Sequence, residues 1–150
     1  MKAHIGLDAQ SGLVHTVVGT AANVSDINVA GALLHGEEHA AFGDAGYQGV
    51  HRRAEAQGPI WHVAMRAGKR RKLDEFIEPQ FRAERAEKMQ ASIRAEGEHS
   101  FHVVKNLFGH RKARCKGMAR NTAQLLNLFG LADLVIAKRS LLAGYARGAS

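Results

Sequence analysis

The sequence has few of the features that cross-link a chain or hold it in a membrane. Among its 150 residues there is one cysteine, Cys115, so no disulfide can form within the chain and a reducing compartment is expected. No run of about 18 apolar residues exists, because Asn127 and Asp133 interrupt the most apolar segment. The early apolar stretch "IGL" is too short for the core of a signal peptide. These absences exclude a disulfide-rich secreted protein and a membrane-spanning one, and they predict a cytoplasmic protein.

Acidic residues are also scarce relative to basic ones. Lys and Arg number 21 against 14 Asp and Glu, which gives a net charge of +7 and a pI near 10.0. This balance favours a polyanionic partner, nucleic acid before an anionic membrane surface. The content of 45% apolar and 23% charged residues is typical of a folded chain, and the length suits one domain. Since the chain has no internal repeat or linker, we predict a single domain over residues 1–150.

The first half of the sequence alternates predicted strands and helices. Ala3, Ile5 and Leu7 alternate with less apolar residues, and a β-branched run follows the turn-forming "DAQSG", which predicts a hairpin. A helix is expected in "NVSDINVAGALL", with Ser25 or Asp26 as its cap.

Two further strands are predicted in "HAAFGD" and "PIWHVAMR", separated by a short helix in "VHRRAEAQG" that Gly58 closes. Trp61 lies in the second of these strands and is expected to fill the core rather than to stack on bases. Strands separated by helices predict an α/β fold with some parallel pairing and with helices on the faces of the sheet.

The second half is predicted to be mainly helical. The cationic run of residues 69–72 indicates an exposed loop, and a long helix is expected from Arg82 to Phe108. Its apolar stripe consists of Met89, Ile93, Gly97, Phe101, Val104 and Phe108. A last helix over 121–143, capped by Asn121 or Thr122, is expected to pack on the domain through Leu128, Ala132, Val135 and Leu142.

Candidate chemistry lies on the long helix and at one strand end. At about 100° per residue, Arg94, Glu98 and Lys105 project from nearly one direction. Asp44 comes where the "HAAFGD" strand ends, and ligands of open α/β sheets gather at such ends. Asp44 and Glu98 could therefore meet over one site and hold a hard divalent cation, since Mg²⁺ usually takes one or two carboxylates.

Several ordered motifs resemble one family. "MKAHIGLDAQSGLVHTVVGTAANVSD", "LLHGEE", "DAGYQG" and "SIRAEGEHSFHVVKNLFG" resemble the core of bacterial insertion-sequence transposases of the DDE type, specifically the insertion-sequence-five group. The likeness runs from Met1 to about Asp133. It implies an RNase H-like mixed sheet with flanking helices, Mg²⁺ or Mn²⁺ as cofactor, double-stranded DNA as partner, and cleavage and joining of DNA at the ends of a mobile element.

The resemblance also assigns individual residues. Asp44 matches the second acid of the family's catalytic triad and Glu98 the third, and both are thereby implied as metal ligands. Arg94 and Lys105 match the basic residues that flank this glutamate, whereas Ala91 stands where the signature has a tyrosine. The first acid of the family lies upstream of the segment matched here. The expectation is therefore an N-terminally truncated domain that lacks its first strand, exposes an unpaired sheet edge and is weak or inactive alone.

Each candidate residue has a structural interpretation beside the functional one. Asp8 is expected to be a turn residue rather than a catalytic acid. Histidines 35, 39, 99 and 102 are expected to be capping or surface residues rather than zinc ligands. Two basic runs either contact DNA or are merely solvated, and they consist of Lys69, Arg70, Arg71, Lys72, Arg111, Lys112, Arg114 and Lys116.

The alternative function is a catalytically silent DNA-binding remnant. Such a chain would interfere with a full-length transposase by forming mixed assemblies, and a homo-oligomer is the other expected assembly. The net charge of +7 and the absent match for the first acid favour this alternative.

Overall fold

The computed structural model describes residues 1–66, 68 and 78–148. It divides into two compact units, of which the first comprises residues 1–24 together with the chain from residue 96, and the second comprises residues 25–95. Each unit has a core of its own, and a single domain over residues 1–150 stays a prediction. In the described part of the chain, none of the helices has the length and apolar character that a membrane crossing requires.

The first unit begins with the predicted hairpin. Strand β1 (Lys2–Leu7) pairs antiparallel with strand β2 (Val14–Thr20), and Ile5 lies opposite Val17. Asp8 starts the connecting turn, because its Oδ1 accepts hydrogen bonds from the backbone N–H and the hydroxyl of Ser11, both at 2.7 Å. These bonds, the hydroxyl bond first, lower the pKa of the Asp8 carboxyl. The interpretation of Asp8 as a turn residue is confirmed.

A long C-terminal helix covers this hairpin. Helix α3 (Met118–Gly148) packs against β2, and between them lies a core of Val103, Val104, Leu125, Phe129, Ala132 and Ile136. At its centre Phe129 is 1% exposed and meets the ring of Phe101 edge to face, with centroids 5.2 Å apart. The prediction that Phe101 fills the core is confirmed.

Helix α3 differs from its predicted bounds and from part of its predicted face. It begins at Met118 rather than at 121, so Asn121 and Thr122 lie inside the helix and neither is its cap. Leu142 was expected to be buried but is 58% exposed, and among the helix residues whose burial is described Ile136 is the last buried one. The apolar pattern of the sequence therefore extends beyond the part of the helix that packs against the core of the first unit.

The predicted long helix of the middle segment is present with altered bounds. Helix α2 (Glu78–His102) starts before Arg82 and continues into a π-helical turn over Val103–Leu107. In this turn the N–H of Phe108 donates to the carbonyl of Val103 at 3.2 Å. A π-turn holds more residues than an α-turn, so the assumed 100° per residue does not hold as far as Lys105.

The second unit contains a small parallel sheet. Strand β3 (Ala40–Gly43) pairs parallel with strand β4 (Ile60–Val63), as predicted. A 3₁₀ turn (Asp26–Val29) leads into the short helix α1 (Ala30–Leu33), but Ser25 at its start makes no side-chain capping bond. The expected helix before Gly58 consists instead of two 3₁₀ turns, Val50–Arg52 and Ala54–Ala56.

The core of the second unit lies between these turns and the sheet. Ala30, Val50 and Ala56 are buried there, with Trp61 packed against them as predicted. The indole N–H of Trp61 donates to the carbonyl of Ala56 at 2.8 Å, which satisfies its polar atom. The one mixed sheet expected from the sequence is not observed, because the described residues form two separate two-stranded sheets.

Asp133 provides a pH-dependent link between α3 and the hairpin. Its Oδ1 accepts the backbone N–H of Val14 at 3.0 Å, and burial raises the pKa of its carboxyl above the usual 3.8, against the opposing effect of that bond. The folded chain thus holds the proton more tightly than the unfolded chain, and the contribution of Asp133 to stability falls as pH rises through and above 3.8. We expect Asp133→Asn to raise the urea midpoint at pH 7, with no gain below pH 3.8.

Asp133→Ala is the matched control for this prediction. It removes the acceptor of the Val14 N–H as well as the charge, so it should cost about 1 kcal/mol of stability below pH 3.8 and less at pH 7, where removal of the charge offsets part of that loss. If Asp133→Asn showed the same gain at both pH values, the raised pKa would not be its cause.

Candidate active site

Asp44 lies where strand β3 ends. It directly follows Gly43 and precedes the 3₁₀ turn Ala45–Tyr47, at whose N-cap position it stands. Its Oδ1 accepts the backbone N–H of Gly46 at 2.8 Å, as expected for aspartate at the start of a helical turn. The side chain is exposed. A carboxylate with one oxygen held by the backbone is thus presented to solvent at the carboxyl end of a parallel strand.

A second carboxylate, Asp26, approaches the same point. A Cβ added to Gly46 would lie 2.8 Å from Asp26 Oδ2 and 2.9 Å from Asp44 Oδ1, so the two oxygens flank one position. The glycine leaves open the space that a side chain would fill. From the sequence Asp26 was interpreted only as a helix cap, and no pattern connects it with Asp44.

Tyr47 forms the apolar side of this site. Its ring stacks on Trp61 with centroids 5.8 Å apart and an interplanar angle of 19°. A Cβ on Gly43 would lie 3.0 Å from two atoms of the Tyr47 side chain, so glycine at 43 makes room for this residue. Burial, followed by the negative charges of Asp26 and Asp44, raises the pKa of the Tyr47 hydroxyl. The hydroxyl therefore stays protonated at neutral pH.

The three glycines of "GDAGYQG" have different roles. From the sequence they were expected to admit a phosphate or to allow a sharp bend. Gly43 accommodates Tyr47, Gly46 leaves space between two carboxylates, and Gly49 has a φ of 88°, which makes the bend. Just before the bend, the side-chain amide of Gln48 donates to the carbonyl of Ala64, the residue that follows β4, at 2.7 Å.

The other candidates lie on or after helix α2. Glu98 is exposed near the C-terminal end of the helix and belongs to the first unit, whereas Asp44 belongs to the second. That these two acids share one metal ion stays a prediction. Lys105 lies in the π-turn, with its Nζ 5.5 Å from the ring centroid of Phe101. Arg94 lies in α2, and its side chain is outside the described part of the structure.

Of the two basic runs, one is described. Arg111, Lys112, Arg114 and Lys116 are all exposed, and among the described residues none of them forms an ion pair. The guanidinium of Arg111 donates to the side chain of Asn106 at 3.3 Å. The run of Lys69, Arg70, Arg71 and Lys72 lies outside the described residues.

The histidines weighed as zinc ligands lie mainly at the surface. His35, His39 and His102 are exposed, and His99 is partly exposed. The Nε2 of His35 lies 3.6 Å from Glu38 Oε1, which also accepts the backbone N–H of His35, whereas Glu38 Oε2 accepts the N–H of Gly36. That these histidines are not zinc ligands stays a prediction.

An α/β architecture with a carboxylate at the end of a parallel strand is consistent with a phosphoryl-transfer enzyme. A family model described as "Transposase DDE domain" matches residues 1–134 of the chain. Because the match covers most of the chain, the protein belongs to the DDE transposase family. Members of this family generally use divalent metal ions. No solved structure is similar enough to this chain to count as a match.

Proposed function

We propose that this protein is the catalytic part of an insertion-sequence transposase of the insertion-sequence-five group, with an RNase H-like fold, which cleaves and joins DNA with Mg²⁺ or Mn²⁺. The observation that carries the proposal is the exposed carboxylate of Asp44 at the end of β3, with one oxygen held by Gly46 and with Asp26 beside it. The family match supports DNA as the substrate.

The chemistry of the donor set suits a hard divalent cation. Asp44 offers a carboxylate oxygen, which Mg²⁺ and Mn²⁺ prefer, and Asp26 adds negative charge beside it. In the proposal Asp44 and Glu98 hold the metal, following the family triad. When bound, divalent ions polarise the phosphodiester and activate the attacking hydroxyl.

The remaining residues position the acids and the DNA. The Gly46 N–H holds Asp44 in one orientation, and the stack of Tyr47 on Trp61 fixes the turn that carries this N–H. Arg94 and Lys105 would compensate phosphate charge near Glu98. The planar guanidinium of Arg94 would donate in a forked geometry, and the ammonium of Lys105 would act as a point charge. We expect the protein to act on DNA in the cytoplasm. Its expected assembly is a homo-oligomer or a mixed assembly with full-length transposase.

The test is cleavage of duplex DNA that carries insertion-sequence ends, with Mg²⁺ and after its removal by a chelator. We expect cleavage that depends on the metal and that Glu98→Gln reduces by at least about 10²-fold, because the amide is a poor ligand for a hard cation. Glu96→Gln is the matched control, since Glu96 is exposed on the same helix and should leave the rate unchanged. Equal effects of the two substitutions would refute the role of Glu98.

A second candidate function is a DNA-binding protein that does not cleave. The segment from residue 99 to 132 contains no aspartate or glutamate, and its exposed cations support this candidate. It predicts salt-dependent binding to duplex DNA without metal-dependent cleavage. Absence of DNA binding at low salt would exclude both this candidate and the proposed transposase.

A further inference from the structure

The basic loop before helix α3 is held at its C-terminal end by one buried amide. Residues 109–117 form no strand or helix, yet the side chain of Asn121 makes three hydrogen bonds to their backbone. Its Oδ1 accepts the N–H of Cys115 at 3.1 Å, and its Nδ2 donates to the carbonyls of Cys115 and Gly117, both at 2.7 Å. Asn121 is 6% exposed, so these bonds are shielded from water.

Only an asparagine-like side chain can make this set of bonds at that point. The carboxamide supplies one acceptor and two donors, and both donors are used on carbonyl oxygens. Aspartate would face these carbonyls with a negative charge, and alanine would leave them without a partner. Gly117 has a φ of 90°, which lets the backbone turn into the helix just after the anchored residues.

The loop held in this way carries positive charge and no negative charge. Arg111, Lys112, Arg114 and Lys116 are exposed on it. The nearest acids in sequence are Glu98 and Asp133, and among the described residues none of these four cations forms an ion pair. Cations spaced along a fixed backbone fit a regular array of phosphates, whereas a loose loop would lose conformational entropy on binding.

We propose that Asn121 is a positioning residue that holds residues 110–117 as a preformed loop for contacts with the phosphate backbone of duplex DNA. The inference rests on the proposed function and adds to it a surface that contacts DNA through cations rather than through a metal. Arg111, Lys112, Arg114 and Lys116 make the contacts, and Asn121 touches no phosphate. Its amide sets the backbone from which the four side chains extend.

The experiment measures the affinity of the full chain for a labelled duplex as a function of salt, without divalent metal. Alanine at all four cations should make the slope of log affinity against log salt concentration shallower. The expected change is about 0.9 for each phosphate that is no longer neutralised. Asn121→Ala should weaken binding about tenfold, because the loop must then be ordered on binding. In the background of the four alanines, Asn121→Ala should have almost no further effect on DNA affinity.

The matched control is Asn127→Ala, the same substitution at an exposed position of helix α3. It should leave DNA affinity unchanged. A purely structural role of Asn121 would lower the urea midpoint but would change affinity equally with and without the four cations. That additive result would overturn the proposal.

Cys115 gives a readout that needs no substitution of Asn121. As an exposed thiol within the loop and the one cysteine of the chain, it can be alkylated selectively. Duplex DNA should slow its alkylation at low salt, and high salt should restore the rate. The Cys115 amide should exchange slowly with solvent in the free chain, because it is already bonded to Asn121.

Fast exchange of the Cys115 amide in the free chain, or alkylation that DNA does not slow, would refute the preformed loop even if Asn121→Ala failed to fold. Either result would leave metal-dependent cleavage untouched as a separate question. Loss of cleavage in Glu98→Gln with unchanged loop behaviour would in turn concern the proposed function alone.

Discussion

Asp44→Asn is expected to reduce metal-dependent DNA cleavage by at least about 10³-fold while the chain stays folded. Asparagine keeps an Oδ1 that can accept the N–H of Gly46, so the turn after β3 should persist. It replaces the other oxygen with an amide nitrogen, which hard divalent cations bind poorly. The measurements are the cleavage rate at saturating Mg²⁺ and the urea midpoint of the same preparation.

The variant Asp26→Asn distinguishes the effect of a neighbouring charge, Asp26, from that of a direct metal ligand, Asp44. Asp26 lies beside the same position, so removal of its charge should weaken the apparent affinity for Mg²⁺ by about tenfold, the effect typical of residues that tune a metal site. The maximal rate should change less than in Asp44→Asn. If Asp44→Asn cleaved DNA at the original rate, the site proposed at the end of β3 would be wrong.

Phe129→Ala is expected to have the largest effect on stability, about 3–5 kcal/mol of the free energy of unfolding. The ring is 1% exposed and meets Phe101 edge to face, in the core between α3 and the hairpin. Alanine would leave a cavity among residues that helix and hairpin both supply, so the site cannot easily collapse. The measurement is urea denaturation followed by circular dichroism.

Leu134→Ala is the matched control for this substitution. Leu134 lies on the same helix and is 68% exposed, so its truncation should change the free energy of unfolding by no more than about 0.5 kcal/mol. A similar loss in both variants would mean that the outer face of α3 is covered in solution. A small loss in Phe129→Ala would contradict the packing of the first unit.

Local patterns in the sequence predicted the strands well. Alternation in "KAHIGL" and the hydrogen-bonding capacity of Asp8 are properties of neighbouring residues, and they identified the hairpin and its turn. The parallel pair β3 and β4 followed from two short apolar runs separated by a helical segment. The division into two sheets was not predicted, because it depends on contacts that no local pattern contains.

Helix geometry was less predictable. The three-residue and four-residue spacing predicted α2, but it could not distinguish an α-turn from the π-turn over Val103–Leu107, since both place Val104 and Phe108 toward the core. Asn121 was expected to cap the helix because asparagine is common at that position. It instead bonds backward to Cys115 and Gly117 from within the helix.

The sequence identified one of the two carboxylates at the candidate site. Asp44 was found because a single aspartate follows an apolar run, which marks the end of a strand. Asp26 was missed, because its approach to Gly46 depends on how the 3₁₀ turn at Asp26–Val29 folds against the turn after β3. Contacts between distant turns leave no periodic signal in a sequence.

The stack of Tyr47 on Trp61 has a practical consequence for following the folding of this protein. Trp61 is the only tryptophan, so indole emission reports on residues 25–95 and not on the hairpin with its covering helix. Far-ultraviolet dichroism instead follows mainly the helices. Coincident transitions in the two signals would show that the units melt together, and separated transitions would yield the stability of each one.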